Sequence, residues 1–88
     1  MDLLIGKVTH YYDKIGVAIV TVENQALKLG DTVKFSGHDQ EFTQKVNSLQ
    51  IQYEKIAEAK PGMVVGLKTD KPVKENDRVF LTGAAQDV

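Results

Sequence analysis

Apolar and polar residues alternate with period two along most of this chain, and the alternation stops at Gly, Pro, Asn and Asp. Between residues 3 and 12, Gly6, Val8, His10 and Tyr12 fall on one side and Ile5, Lys7, Thr9 and Tyr11 on the other. With its β-branched and aromatic content, this stretch predicts a first strand. Asp13-Lys14-Ile15-Gly16 predicts a four-residue turn that ends on a glycine able to take positive φ. From Gly16 to Glu23 both alternating sets are apolar, Ala18, Val20 and Val22 against Val17, Ile19 and Thr21. That pattern predicts a strand in the middle of a sheet or covered on both faces.

Residues 25–31 read as a loop closing on a tight Gly30-Asp31 corner, followed by a strand over Thr32 to Ser36 and a short hairpin loop at Gly37-His38-Asp39. Residues 40–52 are extended, but Phe42 and Val46 lie on the face opposite to Leu49 and Ile51. A regular strand cannot move its apolar set from one face to the other, so a bulge or break is predicted near Asn47-Ser48. Residues 53–60 have helix-compatible composition, yet they are too few for a stable helix and run into Pro61. They read as a strand end and a connecting turn. Met63 to Thr69 and Arg78 to Thr82 are the remaining strands, and residues 83–88 form a tail expected to fray. Strands at this spacing, with glycine and proline corners, predict an all-β fold: a small closed Greek-key-type β-barrel of about six to seven strands. It occupies residues 3–82 as a single domain.

A chain of 88 residues is expected to bury about 60–65% of its unfolded surface, which supports one modest core. The net charge of −1 lacks the strong positive excess of a non-specific duplex binder, although it leaves room for a local basic patch. There is no cysteine, which removes disulfides, thiolate metal sites and a cysteine nucleophile, and fits a reducing compartment. No apolar run approaches the ~18 residues needed to span a bilayer, and no signal segment is visible, so the protein is expected to be cytoplasmic, with no membrane partner.

Catalytic patterns are missing. The chain has neither a phosphate-binding Gly-x-x-x-x-Gly-Lys-Ser/Thr loop nor a Gly-x-Ser-x-Gly elbow, so nucleotide hydrolysis of that type is excluded. Its two histidines, His10 and His38, lie far apart, and a zinc site needs at least three protein ligands. They read as a strand residue and a hairpin-tip residue. Asp31 and Asp77 sit where short carboxylates accept backbone N–H groups and shape turns. No enzyme activity, cofactor or metal is expected. The remaining candidate chemistry is electrostatic: lysines along strand faces, with Tyr11, Tyr12 and Tyr53 as stacking platforms for unpaired bases. Lys7, Tyr11, Lys14, Lys34 and Lys45 are the candidate nucleic-acid-binding set. The competing reading makes these lysines a solvated strand face that protects edges from aggregation.

The corners themselves carry a resemblance. Gly6-Lys7-Val8, Gly16, Leu29-Gly30-Asp31-x-Val33, Ala59-x-x-Gly62 with Val65-Gly66-Leu67, and Val73-x-x-Asn76-Asp77-x-Val79 follow in order over about residues 5–82. In that order they resemble domain II of translational GTPases, the β-barrel of elongation factor Tu and its relatives. Asn76 stands where that pattern has glycine, and Asn also tolerates left-handed geometry. Around Tyr11 to Gly16, Phe42-Thr43 and Lys71-Pro72-Val73 the chain is also similar to the C-terminal barrels of tRNA-hydroxylation proteins described as collagenase-like peptidases. The first resemblance implies a barrel without its GTPase domain; the second implies reactive machinery outside the barrel. Together they imply a stand-alone, non-catalytic module of translation-factor type that binds RNA (tRNA or rRNA) or a ribonucleoprotein. The alternative is a protein-interaction adaptor docking to a larger translation or RNA-modification factor, without nucleic-acid contact.

Overall fold

The structure is a computed structural model that describes residues 2–37, 40–52 and 54–82. Ten strands follow one another: β1 (Asp2–Tyr12), β2 (Val17–Val22), β3 (Leu27–Lys28), β4 (Thr32–Ser36), β5 (Glu41–Lys45), β6 (Leu49–Ile51), β7 (Glu54–Ile56), β8 (Glu58–Ala59), β9 (Val64–Lys68) and β10 (Arg78–Thr82). Eight of them form one antiparallel sheet in the order β5-β4-β10-β1-β2-β9-β6-β7, and β3 pairs with β8 in a separate ribbon. The expected closed barrel of six to seven strands is therefore corrected to two open sheets, one of eight strands and one of two. The extra strands are short. β5 and β6 come from an extended run that breaks at residues 46–48, and β7 and β8 lie in the segment read as a connecting turn. The tail at 83–88, the loop tip at His38-Asp39, and Tyr53 lie outside the described residues.

The large sheet has one apolar face and curls around it. Two irregularities in β1 help it bend, since the ladder to β10 shifts register between Leu4 and Gly6 and the ladder to β2 shifts between Val8 and His10. Each shift moves the inward side by one residue. Strict alternation placed Ile5 and Val8 on opposite faces, yet both are fully buried, and Tyr11 packs against the same core. Ala18, Val20 and Val22 of β2, Val33 and Phe35 of β4, Val65 and Leu67 of β9, and Val79 of β10 complete the inner face. The ribbon adds Leu27 and Ala59 to the same cluster. It is tied on by Gly30 N–H donating to Val46 O at 2.9 Å and Leu29 N–H to Ala57 O at 3.1 Å.

The curl brings β5, one edge of the sheet, back to the end of β9, from which β4, β10, β1 and β2 separate it along the sheet. No ladder joins them. A side chain does: Gln44 of β5 donates from Nε2 to Lys68 O at 2.8 Å and accepts at Oε1 from Asp70 N–H at 2.6 Å. Gln44 is buried, and its primary amide presents one donor and one acceptor to the backbone, as a peptide group in a neighbouring strand would. At Gly6 the chains approach so closely that a Cβ would run into the Thr21 carbonyl oxygen of β2. Gly30 (φ 91°), Gly62 (φ 95°) and Asn76 (φ 75°) take the left-handed conformations that the corner pattern predicts. Asp31 Oδ2 accepts from Lys28 N–H and Asp77 Oδ2 from Lys74 N–H, both at 2.9 Å, so both carboxylates brace turns.

Replacing Gln44 with Leu keeps apolar volume at the seam but leaves both backbone groups without their partner. The expected cost is about 2–3 kcal/mol, read as a lower urea midpoint at unchanged slope. A loss below about 0.5 kcal/mol would show that the amide does not hold the seam.

Candidate functional site

The outer face of the curled sheet divides into two regions. Paired residues of adjacent antiparallel strands share a face. Glu41, Ser36, Arg78 and Lys7 therefore form one row across β5, β4, β10 and β1, and Thr43, Lys34, Phe80 and Leu4 form another. Lys45, opposite Thr32, lies on the same face. Of the five predicted contact residues, Lys7, Lys34 and Lys45 thus share the polar outer region, on different rows. Lys34 Nζ is 3.5 Å from Glu41 Oε2 and 5.1 Å from the centre of the Phe80 ring. Lys14 is exposed on the β1–β2 turn. Tyr11 pairs with the buried Ala18 and packs against the core, so it faces the other way. The five are not brought together.

His10 also lies on the outer face, with Nδ1 3.3 Å from Glu75 Oε2 and the Tyr12 ring edge-on at 4.4 Å between centroids. No cluster of three or more His, Cys, Asp or Glu that could hold a metal occurs among the described residues. Among the same residues, no helix is long and apolar enough to cross a membrane.

The second outer region is apolar. Beyond β1, the outward residues of β2 are Val17, Ile19 and Thr21, the set that makes this strand read as covered on both sides. No described element covers them fully. Tyr12 and Ile15 flank them from the β1–β2 turn, and Val64 flanks them from β9. These three are 49%, 58% and 52% exposed, and they are half of the large apolar side chains left exposed among the described residues. Together they border a groove of about 470 Å³. Gly66 forms its floor, where a Cβ would lie 3.2 Å from Gln50 Cγ and 3.3 Å from Val17 Cγ1.

The groove exists because β6 and β9 part company. Their ladder runs only from Leu49–Leu67 to Gln50–Gly66. Gln52 then takes a positive φ of 49° and turns the chain away from β9. The gap is bounded by Gln50, Ile51 and Gln52 on one side and by Val64 and Val65 on the other. Sequence reasoning missed this site. The available signal is the doubly apolar β2, which has a neighbour on each edge but, among the described residues, no layer over its outer face.

No model of a known protein family matches the chain. Over 78 residues it is 37% identical to an uncharacterized protease of Methanocaldococcus jannaschii, a match that covers 88% of this chain and 19% of that protein. The chain therefore spans about a fifth of the protease's length. Its fold is shared with the C-terminal domain of a Geobacillus thermoleovorans protein described as a U32 peptidase. The TM-score is 0.81 at 24% identity, covering 86% of this chain and 95% of the domain in its selenomethionine variant. A second structure of that domain gives the same TM-score and identity, covering 88% and 89% of the two chains.

These likenesses overturn the translation-factor expectation. The relatives carry protease and peptidase descriptions, so an elongation factor Tu domain II identity, an RNA-binding function and a translation-related partner are all corrected. The second resemblance shares with the solved structures a C-terminal position in a peptidase-described protein; its barrel and its tRNA-hydroxylation setting have no counterpart in their descriptions.

Because Ile15 and Val64 are more than half exposed, their contribution to folding is small. Ile15→Ser and Val64→Thr are each expected to change stability by less than about 0.5 kcal/mol, measured by thermal denaturation. A loss above about 1.5 kcal/mol would show that the groove walls belong to the core.

Proposed function

We propose that this chain is a non-catalytic accessory domain that docks on a larger peptidase-related module through the apolar groove. The observation that carries the reading is the groove itself. It gathers Tyr12, Ile15 and Val64 on an outer face whose polar half is covered with Lys, Glu and Thr. Contiguous exposed apolar surface with a polar surround marks a contact site. The comparisons supply the kind of partner: the protease relative has about four times as much chain beyond the 19% matched here, and the solved relatives are isolated C-terminal domains. Contacts between domains of one protein bury modest areas, so the expected affinity in trans is weak. Residues 3–82 act as one unit in this proposal. Absence of cysteine supports a cytoplasmic setting.

The test pairs the chain with the Methanocaldococcus jannaschii protease shortened by its matching segment. Sedimentation velocity is expected to show a one-to-one complex with a dissociation constant on the order of 10 µM. Absence of any complex at about 100 µM of each component, roughly ten times that constant, would overturn the accessory-domain reading.

A further inference from the structure

We infer that the groove captures its partner by strand addition: an extended apolar segment of the peptidase-related module enters the gap between β6 and β9 and pairs with the edge of β9 at Val64. This inference rests on the accessory-domain reading and specifies its contact. The backbone geometry supports it residue by residue. Along an antiparallel strand, consecutive residues direct their N–H and C=O groups to alternate sides. On the β9 segment, Met63 O accepts from Val22 N–H at 2.9 Å and Thr69 N–H donates to Gly16 O at 2.9 Å, so odd-numbered residues face β2. Even-numbered residues face the other side: Gly66 pairs with Gln50, and Lys68 O accepts from Gln44. Val64 belongs to this second set, but the β6 ladder ends at Gln50, before reaching it. Its N–H and C=O therefore point into the groove with no ladder partner among the described residues.

An occupant of this gap needs two properties. It must offer backbone groups in extended conformation to match Val64, and its alternate side chains must be apolar to cover Ile15, Ile19 and Tyr12. A helix would satisfy the walls and leave the Val64 groups unpaired. Gly66 allows close approach, because no side chain rises from the floor between Gln50 and Val17. Among the described residues, no Asp, Glu, Lys or Arg lines the groove, so the entering segment needs no opposite charge at its centre. The length of chain beyond the matched segment in the protease relative provides a source for such a segment.

The experiment uses the 88-residue chain labelled with ¹⁵N and, as probe, the same shortened protease. Amide hydrogen exchange at Val64 is expected to slow by at least ~10-fold in the complex, because the N–H gains a partner. Val64→Pro removes that donor, and Gly66→Val fills the floor; each is expected to weaken binding by ~10-fold or more. Ile15→Lys, at an exposed wall, serves as a third variant with little risk to folding. A complex that forms with unchanged exchange at Val64, or with wild-type affinity in all three variants, overturns strand addition and leaves the accessory-domain reading standing. Failure of the wild-type chain to bind removes both. Slowed Val64 exchange in the chain alone, together with dimers in sedimentation, would make a second copy the occupant and overturn the assignment.

Discussion

A sheet with one apolar face and no helical layer over it can remove that face from water only by curling. The curl in turn requires the two distant parts of the sheet to meet. Here they meet at Gln44, whose side-chain amide bonds the backbone at Lys68 and Asp70 across a seam where no strand ladder forms. The register shifts in β1 provide curvature, and the β3–β8 ribbon supplies Leu27 and Ala59 to the enclosed core. Backbone groups along an open seam would otherwise lose both water and ladder partners, a cost comparable to that of a lost hydrogen bond for each group. A buried glutamine is tolerated there because both ends of its amide are used.

The same constraint shapes the outer surface. Curling spends the inner face on the core and leaves the outer face to solvent. On β5, β4, β10 and the first half of β1 that face is polar and charged, with the Lys34–Glu41 pair contributing little to stability because Glu41 is exposed. On β2 and β9 it is apolar. The departure of β6 at Gln52 opens that apolar area into a groove and exposes one residue of strand edge. A long exposed strand edge is an aggregation hazard, whereas a short one inside a shaped groove can select a partner.

The corner residues account both for the resemblance to a translation-factor barrel and for its failure to carry a function over. Gly30, Gly62 and Asn76 adopt the left-handed geometry their positions demand, and Asp31 and Asp77 accept the turn N–H groups. Any small antiparallel sheet that turns through similar angles needs the same residue types at similar spacing. Turn chemistry therefore reports scaffold geometry, and unrelated functions share scaffolds. The chemistry of a binding surface is written in outward strand positions, such as Val17, Ile19 and Val64 around the groove, and turn residues do not report it.

Local sequence alone determined most of the strands, the break at 46–48 and the left-handed corners, because each depends on neighbours a few residues away. It also marked β2 as apolar on both sides. Only the tertiary structure decided three things. It left the sheet open, because closure depends on whether two edges distant in sequence can pair, and β5 meets β9 through Gln44 instead. It placed Ile5, Val8 and Tyr11 on one face, because bulges in β1 arise from pairing with two neighbouring strands at once. It made the groove, because a gap between β6 and β9 exists only where two strands fail to stay paired, a relation between segments that no single segment encodes.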